Sequence, residues 1–203
     1  ARLGANESVF GPSPGVVEAM QAAVPETWKY GDPESRDLRE ALAQEHDIAT
    51  ENIVVGAGID GLLDSLVRLT VTEGTPVVAS AGSYPTFAYH VAGYGGAQVT
   101  VPYTRDHEDP ERLIAKTREV DARLVYLSNP DNPMGTRHDA ATVQRMIEEV
   151  PDHALLVLDE AYLEFAPDGT APVIDPEDNR VIRMRTFSKA YGMARPRLGY
   201  AVG

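Results

Sequence analysis

A three-layer α/β fold is what the sequence predicts: a mostly parallel sheet with helices on both faces. Three observations carry this. Short β-branched runs recur from residue 50 onward, helical apolar spacing fills several of the intervals between them, and the runs stay apolar along their length, as strands buried on both faces must.

The strand candidates are residues 53–55, 76–79, 98–101, 124–128, 154–159, 181–186 and 198–202, enough for a full sheet. Between them, Ile59, Leu62, Leu63, Leu66 and Val67 share one helical face, and so do Val143, Met146, Ile147 and Val150. Ahead of the first strand, residues 15–24 and 35–47 read as two helices joined by a Pro/Gly/aromatic loop at 28–33. The division expected is an N-terminal segment, 1–35, and a large domain, 36–203, incomplete at its C-terminus. The run 198–202 reads as a buried strand that leaves an unfinished sheet edge, and both ends of the chain read as cut.

Composition narrows the function classes. The chain has 203 residues, 43% hydrophobic and 24% charged, enough for one substantial core. A formal net charge of -13 argues against a nucleic-acid partner, which would call for a basic patch. With no cysteine, disulfides, thiolate metal sites and cysteine nucleophiles are excluded, which fits a cytoplasmic protein. No apolar run reaches the roughly 18–20 residues of a membrane span. The five histidines show no metal-ligand spacing, so no metal is expected, and no G-x-S-x-G elbow occurs.

Ligands of such sheets bind beyond the carboxyl ends of the strands, so chemistry is sought there. Of the three lysines, Lys29, Lys116 and Lys189, only Lys189 follows a strand candidate, which makes it the candidate Schiff-base amine; standing alone it would read as a surface lysine. Asp159 ends an apolar run and needs a partner, for which a pyridinium nitrogen, a magnesium ion or a helix N-terminus each serves. Tyr162, three positions on, can reach the same ring. Arg197, with the Ser188 hydroxyl, suits a phosphate, with Arg195 as the alternative. The turn Asn129-Pro130-Asp131-Asn132-Pro133 either points the Asn132 amide into the crevice or is a plain structural turn. Gly56-Ala57-Gly58-Ile59-Asp60-Gly61 spells the dinucleotide fingerprint, but the strand that should end in an acidic residue runs into Ser80-Ala81-Gly82. What survives is a helix N-terminus around Gly58, Ile59 and Asp60 that can approach a phosphate. Tyr84 either stacks on a flat ring or is a surface tyrosine.

As a set these residues resemble the fold-type I pyridoxal-phosphate aminotransferases, and within them the histidinol-phosphate aminotransferase family. The segments that carry the resemblance are Asn129-Pro130-Asp131-Asn132-Pro133-Met134-Gly135, Asp159-Glu160-Ala161-Tyr162, Ser188-Lys189-Ala190-Tyr191-Gly192, Arg197-Leu198-Gly199-Tyr200 and the opening Asn6-Glu7-Ser8. The resemblance implies pyridoxal 5'-phosphate as cofactor, bonded by Lys189, with Asp159 on its ring nitrogen and Asn132 and Tyr162 on its phenolic oxygen. It places Ile59, Asp60, Ser188 and Arg197 around the phosphate and Tyr84 on the ring. Tyr30 would reach the cofactor of a neighbouring subunit, which implies a homodimer. The implied reaction is transamination between an amino acid or amino phosphate and a 2-oxo acid, with histidinol phosphate and 2-oxoglutarate the favoured pair. Asp131, Met134, Ser8 and Val9 depart from the family's usual residues. The arginine that grips substrate carboxylates would lie beyond Gly203, so residues 1–203 alone are expected to hold the cofactor without turnover. The alternatives are an aromatic aminotransferase, a phosphothreonine decarboxylase, the effector domain of a transcription regulator, and an NAD-dependent oxidoreductase.

Overall fold

The computed structural model describes residues 5–203; the first four residues of the expected N-terminal segment lie outside the described residues. These residues form a single seven-stranded sheet in the order β1-β7-β6-β5-β4-β2-β3. The strands are β1 Ile53–Gly56, β2 Pro76–Ser80, β3 Ala97–Val101, β4 Leu124–Ser128, β5 Leu155–Asp159, β6 Val181–Thr186 and β7 Gly199–Val202. All seven expected strands are present. From β3 to β6 the pairings are parallel, whereas β7 runs antiparallel to both of its neighbours, β1 and β6.

That placement corrects one expectation. β7 leaves no unfinished edge, because it lies inside the sheet, with Val202 opposite Ile53 on one side and Arg183 on the other. The edges are β1 and β3. All four β7 residues are buried, as a strand paired on both sides should be.

The helices are α1 Pro14–Ala23, α2 Arg36–His46, α3 Gly58–Thr70, α4 Thr86–Gly93, α5 Pro110–Glu119 and α6 Ala140–Glu148. Strand side chains alternate between the two faces. Leu124, Tyr126 and Val157 pack with Leu63, Val67, Phe87 and Val91 of α3 and α4. Val125, Leu127, Leu156 and Leu158 pack with Leu113, Ile114, Val143 and Met146 of α5 and α6. On that second face α2 covers Ile53, Tyr200 and Val202 through Leu42 and Ala43. Each fully buried aliphatic side chain contributes about 1.5–3 kcal/mol, so these layers hold the strand ends rigidly.

Helix α4 was not legible from spacing. Its sequence, Thr-Phe-Ala-Tyr-His-Val-Ala-Gly, is rich in aromatic and β-branched residues of modest helix propensity. Burial of Phe87 and Val91, one turn apart, overrides that propensity. α5 and α6 begin where Asp109 and Asp139 accept hydrogen bonds from the N–H groups of Arg112 and Thr142. Helix α1 stands apart: none of its residues is buried.

Candidate active site

Parallel β2, β4, β5 and β6 all end at one rim, and there a cavity of about 140 Å³ opens. Asp159, Lys189, Tyr162, Asn132, Tyr84, Ile59, Asp60, Ser188 and Arg197, which sequence reasoning singled out, all line it. Gly58, also singled out, is not among the lining residues but lies against Arg197, which is. Arg195, the alternative phosphate ligand, is not among the lining residues.

Asp159 is the last residue of β5 and is 5% exposed. Its Oδ2 accepts from the Tyr126 hydroxyl at 2.6 Å and its Oδ1 from the Ala161 N–H at 3.0 Å. Burial pushes this carboxyl above its ordinary range, while those two donors pull it back. The next residue, Glu160, points to the other side and accepts from Arg183 at 2.6 Å and Arg185 at 2.9 Å. A buried carboxylate held between two guanidinium groups pins the strand end that carries Asp159.

Lys189 follows β6, and its Nζ lies 5.5 Å from the Tyr162 ring centroid. The same nitrogen donates to the carbonyls of Asn6 at 3.4 Å and Ala5 at 3.5 Å, so the N-terminal stretch crosses the mouth of the cavity. Asn6 also donates from Nδ2 to the Tyr162 hydroxyl at 3.1 Å. Asn6 was noted in sequence only as part of a motif; its contact with the site depends on a segment more than 150 residues away.

At the other end of the cavity, helix α3 presents its first N–H groups, those of Gly58, Ile59 and Asp60, which have no carbonyl partner within the helix. Gly58 has φ +75, and a Cβ there would stand 2.6 Å from Arg197 Nη2. Glycine therefore satisfies both the left-handed backbone and the close approach of the guanidinium. Arg197 donates to Ser188 Oγ at 3.3 Å and to the Ala57 carbonyl at 3.4 Å. A helix N-terminus, a hydroxyl and a guanidinium converging on one point form an anion site. The Asp60 carboxylate is turned outward to His90 Nε2 at 3.0 Å. Tyr84 is 42% exposed at the rim, and burial of the remainder raises its hydroxyl pKa.

Asn132 sits on a turn closed by hydrogen bonds from Asp131 N–H to the Thr136 carbonyl at 2.8 Å and from Gly135 N–H to the Asp131 carbonyl at 3.0 Å. Under this turn lies Glu108, 2% exposed, which accepts from Ser80 Oγ at 2.5 Å and from the Ser128 N–H at 2.8 Å. Burial pushes the Glu108 carboxyl up to about 7 from its ordinary 4.5. A group raised in this way contributes stability that is complete below pH 4.5 and is lost as pH rises through about 7. Glu108→Gln is therefore expected to flatten the decline of Tm across that window, by an amount on the order of 2–3 kcal/mol in stability. Melting curves of wild type and variant at both limits check this; parallel pH dependences would refute it.

Tyr30 is fully exposed and does not reach this cavity. Tyr126 and Glu108 went unrecognised in sequence, as did the lining residues Thr86, Ser128, Ala161 and Thr186. Thr86 lines the cavity, and its Oγ1 is, among the described residues, the one buried side-chain polar atom without a hydrogen-bond partner. A larger groove of about 650 Å³ lies at the opposite ends of the strands. Its arginines are already engaged, Arg123 with the His153 carbonyl and Arg180 with Asp178. Among the described residues no group of three or more histidine or acidic side chains is arranged to hold a metal ion, and no helix is long and apolar enough to cross a membrane.

Comparison with known proteins adds an independent line. The family model "Aminotransferase class I and II" matches residues 1–203. A histidinol-phosphate aminotransferase of Jannaschia sp. (strain CCS1) is 35% identical over 204 residues, covering 100% of this chain and 56% of the relative. An aromatic amino acid aminotransferase of Mycolicibacterium smegmatis is 38% identical over 205 residues, 99% of this chain and 56% of its own length. The crystal structure of histidinol-phosphate aminotransferase from Sinorhizobium meliloti in complex with pyridoxal-5'-phosphate superposes with a TM-score of 0.98 at 54% identity. It covers 100% of this chain and 56% of that one. The chain thus spans a little over half the length of the relatives it matches.

Proposed function

Because the chain belongs to the class I and II aminotransferase family, we propose that it forms the cofactor-binding part of a pyridoxal-phosphate-dependent aminotransferase whose catalytic lysine is Lys189. One observation carries the assignment of residues: a buried strand-end carboxylate, an amine and a helix-N-terminal anion site converge on a single cavity of about 140 Å³.

The residues present fit the cofactor. Asp159 is a buried carboxylate whose hydrogen bonds come from neutral donors, Tyr126 and Ala161, which suits a cationic ring nitrogen as its partner. The orphaned Thr86 hydroxyl on the same cavity is a further polar group in want of a ligand. When bound, pyridoxal 5'-phosphate supplies an electron-accepting ring that disperses the negative charge arising at the substrate's α-carbon. Asp159 would hold the proton on the ring nitrogen. Asn132 and Tyr162 would serve the phenolic oxygen, and Tyr84 the ring face. The amides of Ile59 and Asp60, beside Gly58, would anchor the phosphate with Ser188 and Arg197. Lys189 Nζ is the amine that would hold the cofactor covalently, and the same nitrogen would serve as the base toward the donor's α-proton.

Histidinol phosphate with 2-oxoglutarate is the substrate pair we favour, supported by the likeness to the Sinorhizobium meliloti structure. The second reading, an aromatic amino acid aminotransferase, draws on the relatives of that name at similar identity. The assay is direct: the full-length protein with pyridoxal phosphate and 2-oxoglutarate, offered histidinol phosphate or L-phenylalanine. A kcat/KM at least about tenfold higher for histidinol phosphate, roughly 1.4 kcal/mol in transition-state stabilisation, is expected. The reverse ranking selects the aromatic reading, and turnover of neither donor sinks both.

The same reading includes a cytoplasmic homodimer. Exposed Phe10, Trp28 and Tyr30, at 92%, 78% and 105%, sit on an N-terminal arm whose helix α1 buries none of its residues. The three core clusters draw only on residues beyond 35, which supports treating 1–35 as an arm and 36–203 as the large domain. A second copy covering the arm would bring Tyr30 to its cofactor; sedimentation of the full-length protein as a monomer would exclude this.

A further inference from the structure

We propose that Tyr126 is a positioning residue that keeps Asp159 ionised and oriented toward the cofactor's ring nitrogen. The inference rests on the reading above that Asp159 holds the ring-nitrogen proton, and goes beyond it by assigning what sustains that state.

Tyr126 lies in the middle of β4 with none of its surface exposed, among the apolar side chains of Leu124, Val157, Phe87 and Met184. A phenol hydroxyl placed there costs free energy unless it is paired, and a phenylalanine would pack equally well. Packing therefore does not account for the hydroxyl. Its 2.6 Å bond to Asp159 Oδ2 does. The register explains how they meet: Tyr126 is opposite Val157, which places Asp159 diagonally two residues along the adjacent strand on the same face. Phe87 fixes the plane of the phenol, with ring centroids 4.9 Å apart and an interplanar angle of 15°.

The energetic consequence follows from the groups around the pair. Burial and the neighbouring Glu160 favour a protonated Asp159; the Tyr126 hydroxyl, the Ala161 N–H and Lys189 oppose it. Glu160 is itself engaged by Arg183 and Arg185. Glu108 and Ser128 are the other polar side chains that act on Tyr126, and Tyr84 faces Asp159 from the rim. Burial beside Asp159 and Glu108 raises the Tyr126 hydroxyl well above its usual range, so it remains a donor throughout the working pH range. Loss of that donor leaves an apolar wall against a buried carboxylate, and Asp159 takes up a proton at higher pH. A protonated Asp159 no longer stabilises the ring N–H.

The test uses the full-length protein with pyridoxal phosphate, and the variant Tyr126→Phe, which keeps the ring and its stack on Phe87. The amino donor is whichever of histidinol phosphate and L-phenylalanine the wild type turns over faster. Borohydride should label Lys189 in both proteins, while the acidic limb of the kcat profile should move up by about one pH unit in the variant. At a pH on that limb this amounts to a loss of up to about tenfold. The same substitution made on top of Asp159→Asn should have no further effect on kcat, because the carboxylate it serves is gone. An acidic limb that stays in place, or an equal loss of kcat in the Asp159→Asn background, overturns the proposal and leaves the aminotransferase reading standing. A wild-type protein without label at Lys189 overturns both.

Discussion

Lys189→Ala is expected to abolish covalent attachment of pyridoxal phosphate and to lower transamination by the full-length protein by about 1,000-fold or more, roughly 4 kcal/mol in the barrier. The physical case is one of supply. The other two lysines, Lys29 and Lys116, are engaged by Glu26 and Glu119, and neither lines the cavity. Neither can replace an amine that follows β6 and stands 5.5 Å from the Tyr162 ring centroid. The proposed phosphate anchor at α3, Ser188 and Arg197 is untouched by the substitution, so cofactor should still bind without the covalent bond. Borohydride reduction and peptide mapping of wild type and variant give the readout. A pyridoxyl label on Lys29 or Lys116, or turnover within tenfold of wild type, would defeat the assignment of Lys189.

Asp159→Asn should lower turnover by about 100-fold to 1,000-fold, roughly 2.7–4 kcal/mol, while cofactor affinity falls by less than about tenfold. The replacement is nearly isosteric, and the asparagine carbonyl can still accept from Tyr126 at the position that Oδ2 occupies. It removes a charge whose burial is costly but sets the amide nitrogen against the Ala161 N–H that Oδ1 accepted from, two effects of opposite sign that should leave Tm close to the wild-type value. What is lost is the ability to hold a proton on the ring nitrogen, and with it the stabilisation of charge at the substrate carbon. Parallel measurement of kcat, cofactor dissociation constant and Tm separates these effects. Turnover near the wild-type value would mean that the carboxylate serves the end of β5 alone.

The two predictions differ in what they ask of the fold. Lys189 needs only to be delivered to the crevice, and the position of β6 in the sheet does that. In the proposed role Asp159 needs in addition an environment that opposes its protonation although it is buried, and the groups that do so come from three places: β4 through Tyr126, the backbone after β5 through Ala161, and β6 through the arginines that engage Glu160.

Strand and helix periodicity was enough to locate seven strands, because strands of a sheet covered on both faces must be apolar along their length, and enough to place Asp159 at a strand's end and Lys189 and Asn132 in the segments that follow strands. Motif spacing added the resemblance to a family, and the family match over residues 1–203 bears it out. Pairing partners, by contrast, depend on contacts between residues far apart in the chain. The insertion of β7 between β1 and β6 could not be read from residues 198–202, since an apolar run looks the same at an edge and in the interior. Helix α4 escaped for a related reason: its helical state is decided by what Phe87 and Val91 bury against, and not by its own propensities. Two side chains that prepare the site, Tyr126 under Asp159 and Glu108 under the Asn132 turn, carry no local signature at all, and the motif that contains Asn6 does not show its contact with Tyr162. A residue's chemical type and its place after a strand are local properties that the sequence by itself determines. Which donors surround a buried carboxylate, and so its protonation, is a property of strands brought side by side, and only the tertiary structure decides it.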